Sequence, residues 1–182
     1  MSKGSDCNAG RIVEDRVDDL PFDRAERAVL DIARRIFGTF ATPAGQGWIS
    51  AFEASERHFG PEGAILAHRI VKTIQVLRRN RTAVFGFVNP DCPCCRQRIT
   101  PEERYFISIL HAARRERRSD AMLNAIFVCG GPDPSALVEA VDLLSADLTA
   151  FAAVEIPAQT GAQPNAPALA PPHANPKAEP QA

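Results

Sequence analysis

Apolar residues recur at helical spacing along most of the chain, and each run is bounded by residues typical of helix ends. The clearest start is at Thr100, where a capping residue is followed by Pro101 and by the capping-box acid Glu103. Apolar residues three and four positions apart form one face of a helix. The pattern predicts six helices, near residues 23–37, 48–60, 61–80, 100–118, 119–130 and 133–151.

The expected fold class is mainly all-α, a compact bundle of about six helices. The third helix has a regular apolar face, and so does the sixth; the two faces comprise Leu66, Ile70, Ile74, Leu77, Leu137, Val138, Val141, Leu144, Leu148 and Phe151. The apolar run 83–88 contains a glycine and predicts a short strand or a buried extended link. A cysteine-rich turn follows at residues 89–99.

The two ends of the chain lack this pattern. Residues 1–20 are polar and acidic, which predicts a flexible segment. Residues 157–182 include seven prolines and eight alanines. Such a segment buries too little apolar surface to offset an ordering cost of about 1–2 kcal/mol per residue, so we expect a disordered tail. The single helical domain is therefore predicted at residues 21–156.

Length and cysteine content narrow the class of protein. A chain of 182 residues can form one ordinary core. Its start does not resemble a signal peptide, and no apolar run approaches the roughly 18 residues of a membrane span. Five cysteines, an odd number, argue against a disulfide scaffold. We expect a cytoplasmic protein with no membrane contact.

Three cysteines cluster in the sequence NPDCPCCRQRITPEE. Cys92 and Cys95 form a C-x-x-C pair with Cys94 between them, and the proline favours a tight turn that directs two sulfurs to one metal. Zinc takes four thiolate or imidazole ligands, so the cluster needs a further ligand. Cys129 is the preferred remote candidate, with the histidines left open, and Cys7 is expected to be inert.

The segment CPCCRQRIT resembles one half of a zinc ribbon, in which a C-P-x-C turn precedes polar residues and an apolar residue. The second C-x-x-C of a ribbon is absent, so Cys129, a histidine or a second chain would complete the site. A Cys-Pro-x-Cys turn after an apolar run also resembles the active turn of glutaredoxins. That resemblance implies thiol redox chemistry with Cys92 as the nucleophile and Cys95 or Cys94 as the resolving thiol.

Basic residues are concentrated in the middle of the chain. Residues 57–118 carry a net charge of +8, between segments of −3 and −6. Such a region attracts phosphates or an acidic partner, or it is neutralised within the chain; an ordinary solvated face is the simplest interpretation. The candidate partner or phosphate-binding residues are Lys72, Arg78, Arg79, Arg81, Arg114, Arg115 and Arg118.

No phosphate-binding loop, dinucleotide glycine pattern, nucleophile elbow or metalloprotease motif occurs. The sequence therefore favours a non-enzymatic regulatory or adaptor protein with a structural zinc site and a protein partner, or a homodimer. A thiol redox protein is the alternative. A nucleic-acid-binding protein is a second alternative.

Overall fold

The computed structural model describes residues 15–43, 45–131 and 133–154, with side chains described up to residue 151. Within this part the chain is mainly helical, as expected. Two short strands, β1 and β2, and six helices, α1 to α6, occur in the order β1 Asp15–Arg16, α1 Arg24–Ala41, α2 Gly47–Phe59, α3 Gly63–Asn80, β2 Arg98–Ile99, α4 Pro101–Ala113, α5 Arg118–Cys129 and α6 Pro134–Val154. No helix in the described ranges is both long and apolar enough to span a bilayer.

Two helix starts follow directly from the sequence. At α1, the Asp23 side chain accepts the backbone N–H of Glu26, and the Glu26 carboxylate accepts the backbone N–H of Asp23. Thr100 and Glu103 make the same reciprocal pair at α4. These caps satisfy backbone donors that the first turn of a helix leaves without partners. The capping box predicted at Thr100 is confirmed, and Asp23 and Glu26 form a second one.

Two predicted helix ends are wrong. α1 does not stop at Gly38 but continues to Ala41, because Phe40 still packs against the core and Gly38 does not adopt the left-handed conformation of a helix stop. α4 ends at Ala113 rather than near Arg118, since Glu116 takes a positive φ of 56° in the turn before α5. In contrast, Gly130 ends α5 with φ 54°, as its position predicted.

The sheet contains β1, a strand in a segment for which the sequence pattern predicted no regular structure. Asp15 lies opposite Ile99 and Arg16 opposite Arg98 in an antiparallel pair, and a short 3-10 helix, Val17–Asp19, follows. The prediction of a flexible segment up to residue 20 is therefore wrong from residue 15 onward. Residues 83–88 form the extended link rather than a strand. The predictions of a flexible segment before residue 15, of an inert Cys7 and of a disordered tail at 157–182 concern residues outside the described ranges.

The core lies where the helical faces meet. α3 packs against α2 and α6, and α4 packs against α1, α5 and α6. The predicted apolar faces of α3 and α6 are buried, with Phe151 half-buried at the end of α6. Trp48, at the start of α2, is 58% exposed. Phe37 stacks on Phe85 with ring centroids 4.2 Å apart, which fixes the extended link against α1.

Candidate metal centre

The cysteine turn is built from local backbone hydrogen bonds. The Asn89 side chain accepts the N–H of Asp91 at 3.0 Å, which starts the turn. The carbonyl of Cys92 then accepts the N–H of Arg96 at 2.9 Å, and that of Cys95 accepts the N–H of Arg98 at 2.8 Å. The turn therefore folds back on itself and leads straight into β2.

Three sulfur atoms converge on this turn. The Sγ atoms of Cys92, Cys94 and Cys95 all lie within 4.8 Å of one another. Cys92 Sγ is 3.1 Å from Cys94 Sγ, which in turn is 3.8 Å from Cys95 Sγ. Tetrahedral zinc with Zn–S bonds of about 2.3 Å places its sulfurs about 3.8 Å apart. Cys92 and Cys95 are free thiols, whereas Cys94 is disulfide-bonded. The three sulfurs can therefore hold one metal ion once Cys94 is reduced and the distance between the Cys92 and Cys94 sulfurs opens by about 0.7 Å.

The local environment distinguishes Cys92 from Cys95. The pKa of Cys92 is lowered, because its sulfur accepts hydrogen bonds from the Cys95 thiol and from the backbone N–H groups of Cys95 and Cys94. The pKa of Cys95 is raised, chiefly because its thiol donates to Cys92. Hydrogen bonds from backbone N–H groups stabilise a thiolate, which is the form that binds metals and attacks disulfides.

A buried ion pair holds the base of the turn. Arg34 on α1 and Glu103 on α4 meet through two hydrogen bonds, Nε to Oε1 at 2.8 Å and Nη2 to Oε2 at 3.0 Å. Their side chains are 4% and 1% exposed. Two parallel hydrogen bonds of this kind are the geometry in which guanidinium and carboxylate groups interact most strongly.

The same pair contacts the backbone on both sides of the cysteines. The Glu103 carboxylate accepts the N–H of Val88 at 2.9 Å, just before the turn. The Arg34 guanidinium donates to the carbonyls of Arg96 at 2.8 Å and Arg98 at 2.6 Å, just after it. The thiol cluster is therefore presented by a turn whose entry and exit are both fastened to the helical core.

A second contact reaches the turn from α1. Arg35 pairs with Asp91 at 3.1 Å and with Asp31 at 3.4 Å, while Asp31 also contacts Nε2 of His58. Because Asp91 is 75% exposed, this pair contributes little on its own. It nevertheless directs a positive charge toward the residue immediately before Cys92.

The structure does not bring Cys129 into the thiol group. Cys129 is 1% exposed at the end of α5, where it belongs to the hydrophobic core. Burial raises the pKa of its thiol, an effect that the nearby Arg81 guanidinium partly opposes. Among the described residues, the group of His, Cys, Asp or Glu side chains close enough to hold a metal contains Cys92, Cys94 and Cys95 alone.

Four of the seven basic candidates are paired within the chain. Arg114 contacts Asp23 at 2.5 Å and Arg115 contacts the buried Glu26 at 2.7 Å. Arg118 contacts Asp142 at 3.1 Å, and Arg81 binds three backbone carbonyls beside Glu102. The acidic flanks thus neutralise much of the basic middle.

Three of the candidates remain on the surface. Lys72 and Arg79 are exposed and make no ion pair or hydrogen bond within the described ranges. The Arg78 guanidinium lies 3.8 Å from the centroid of the Phe40 ring. These three residues on α3 are what remains for an external phosphate or an acidic partner.

Sequence reasoning missed Arg34 and treated Glu103 only as a capping residue. The signal for Arg34 was its position four residues after Leu30 and three before Phe37, on the apolar face of α1. A charged residue on such a face needs a buried partner. The pattern does not say which of the acidic residues that partner is.

Comparison with protein-family models, with curated proteins and with solved structures finds no match to this chain.

Proposed function

We propose that this protein is a non-enzymatic regulatory or adaptor protein whose turn at residues 92–95 binds a structural zinc ion. The observation that supports the proposal is the convergence of three cysteine sulfurs on a turn whose two ends are fixed by the Arg34–Glu103 pair. Structural zinc sites use such short turns, and their ligand geometry is held by surrounding hydrogen bonds.

Zinc is the favoured metal because of the donor set. Thiolate ligands select zinc, copper(I) or iron–sulfur clusters over magnesium and calcium, which prefer oxygen ligands. The hydrogen bonds to Cys92 stabilise its thiolate, and the exposed Arg98 lowers the pKa of Cys95 in opposition to the larger effects that raise it. Both effects favour deprotonation when a cation arrives.

The adaptor role is supported by an apolar stripe on α5. Leu123, Ile126 and Phe127 are each at least 50% exposed, and Tyr105 stacks on Phe127 with centroids 5.3 Å apart. Exposed apolar patches of this kind mark protein contacts. The contact we propose is a homodimer through α5. Light scattering tests it on the purified protein: the native protein should have the mass of a dimer and Leu123→Lys that of a monomer. Leu143→Lys, on the equally exposed Leu143 of α6, is the matched control.

Metal content measured together with a thiol count on one native, reduced sample tests the zinc proposal. We expect about one zinc per chain, absent from Cys92→Ser and Cys95→Ser and retained in Cys129→Ala. Cys129→Ala is the control because that thiol lies in the core, away from the cluster. A wild-type sample without metal, or zinc retained in both serine variants, would overturn the proposal.

A thiol redox protein is the alternative, and the opposite pKa shifts of Cys92 and Cys95 favour it specifically. A nucleophilic thiol with a lowered pKa beside a resolving thiol is the usual arrangement of such proteins. The rate of alkylation of Cys92, measured with and without a zinc chelator, separates the two functions. Redox function predicts fast alkylation in both samples; a zinc site predicts slow alkylation that the chelator accelerates.

A further inference from the structure

We propose that a groove beside the cysteine turn binds a small phosphomonoester. The groove has a volume of about 360 Å³ and lies between α1, the end of α2, the 3-10 helix and the cysteine turn. Five of the residues that line it are arginines: Arg27, Arg34, Arg35, Arg57 and Arg96. None of the five is among the basic candidates that the sequence suggested, and the inference does not depend on the zinc site.

Two of these arginines are already neutralised and shape the wall of the groove. Arg34 forms the buried pair with Glu103, and Arg35 lies 3.4 Å from Asp31 and 3.1 Å from Asp91. Both side chains extend from α1 toward the cysteine turn and hold it in place. They therefore fix the shape of the groove, and its capacity for an anion must come from the remaining arginines.

Arg57 and Arg96 supply positive charge that no carboxylate of the described chain neutralises. Arg57 lies near the end of α2 and Arg96 follows Cys95 in the turn, so the two line the groove from different elements. Both are exposed, and neither side chain makes an ion pair or a hydrogen bond within the described ranges. A guanidinium group presents its N–H donors as a fork that matches two oxygens of a phosphate. Two such forks at one groove can bind a phosphate from two sides.

Arg27 is a third donor that a bound phosphate can recruit. Its Nε donates to the backbone carbonyl of Phe22 at 2.9 Å, and its Nη1 lies 2.9 Å from the Asp18 carboxylate. The Arg27 and Asp18 side chains are 40% and 62% exposed. An exposed pair of this kind contributes little to stability, so a phosphate with two negative charges can displace Asp18 from Arg27.

The lining of the groove favours a small, polar molecule over a nucleic-acid strand. Sites for small molecules are concave and have volumes of about 300–1,000 Å³. Proteins that bind single strands stack the bases on aromatic side chains, and no Phe, Tyr or Trp is among the described residues that line this groove. The carboxylates of Asp18 and Asp31 and the amide of Gln97 can instead form hydrogen bonds with hydroxyl groups. A sugar phosphate combines such hydroxyl groups with the anion that the arginines require.

Calorimetric titration of the full chain with inorganic phosphate and with ribose 5-phosphate, at constant low ionic strength, tests the site. We expect both to bind, and Arg57→Gln and Arg96→Gln each to weaken binding by at least about tenfold, because each removes a charged donor. Asp18→Asn should strengthen binding by about two- to fivefold, since Arg27 loses its competing carboxylate. Arg79→Gln is the matched control: Arg79 is equally exposed but lies on α3, outside the groove, so this variant should bind as the wild type does.

Loss of binding in these variants can be separated from loss of folding. The contact that Arg96 makes within the chain is through its backbone carbonyl, which Arg96→Gln retains, and both arginine variants should melt at the wild-type temperature. If neither phosphate compound binds at millimolar concentration, or if both arginine variants bind as tightly as the wild type, the proposal is wrong. Binding of a single-stranded oligonucleotide by a chain that binds neither small phosphate would overturn it in favour of a nucleic-acid surface.

Discussion

The Arg34 guanidinium and the Glu103 carboxylate form one buried ion pair that fastens both ends of the cysteine turn to the helical core. The carboxylate accepts four N–H groups, two from Arg34 and one each from the backbone of Val88 and Thr100. The guanidinium also donates hydrogen bonds to the backbone carbonyls of Arg96 and Arg98. A buried charge pair is stable only when its remaining polar atoms are satisfied in this way.

Replacing Glu103 by glutamine should therefore be severely destabilising. The amide has one acceptor atom where the carboxylate has two, so its NH₂ group would face N–H donors, and Arg34 would keep a buried charge without a counter-ion. Removing one partner of a buried pair costs about 3–5 kcal/mol. We expect a loss of this size in the free energy of unfolding, measured in urea.

The neighbouring Glu102 provides the control. Its side chain is 29% exposed and lies 3.5 Å from Arg81, so Glu102→Gln should cost less than about 1 kcal/mol. Equal effects of the two substitutions would mean that the buried pair has no special role. Weaker metal binding by folded Glu103→Gln would further show that the pair positions the thiols.

The sequence predicted the elements of this fold better than their connections. Local signals, such as the Thr100 cap and the face of Leu66, Ile70, Ile74 and Leu77, depend on residues within a few positions, and these were confirmed. The partnership of Arg34 with Glu103 spans 69 residues and depends on how α1 and α4 pack. Spacing alone cannot supply such information, which is also why β1 was missed and Cys129 was expected near the turn.

Close packing of α2 against α3 predicts an asymmetry between two glycines. A Cβ at Gly63 would lie 2.4 Å from the backbone carbonyl oxygen of Ser55, whereas a Cβ at Gly38 meets nothing within 4 Å. Gly63→Ala should therefore destabilise the protein by about 1–3 kcal/mol through overpacking. Gly38→Ala, inside α1, should stabilise it by about 0.5–1 kcal/mol.

Thermal unfolding of both alanine variants checks this prediction. The two substitutions are chemically identical, so any difference between them comes from their surroundings. A melting temperature of Gly63→Ala at or above that of the wild type would show that α2 and α3 lie farther apart than described.

Stability should fall in acid partly through Glu26. Burial acts to raise the pKa of this carboxyl, but hydrogen bonds with His111, Arg115 and the backbone of Asp23 outweigh it and leave the pKa below its ordinary value of 4.5. A carboxyl whose pKa is lowered on folding stabilises the protein fully above its unfolded pKa. That contribution is lost as the pH falls through the folded pKa.

Glu26→Gln should therefore reduce the difference in unfolding free energy between pH 7 and pH 3. Unfolding in urea at several pH values measures this dependence for the variant and for wild type. Glu53→Gln, at an exposed position on α2, is the control and should leave the pH profile unchanged. An unaltered acid dependence in Glu26→Gln would contradict a lowered pKa for Glu26.

Metal binding itself should depend on pH, because each thiol must lose its proton to become a ligand. The raised pKa of Cys95 means that its thiol is protonated at neutral pH, whereas the lowered pKa of Cys92 reduces the competition from protons there. Zinc binding near pH 7 should therefore release about two to three protons and weaken by about 100- to 1000-fold per unit of falling pH.

Calorimetry in buffers of different ionisation enthalpy counts the released protons, and competition with a chelator of known affinity measures the pH dependence of the zinc affinity. Cys95→Ser should release fewer protons than wild type if it retains any metal, because the thiol with the raised pKa has been removed. Binding that releases no protons and does not change between pH 8 and pH 6 would mean that the metal is held by groups other than these thiols.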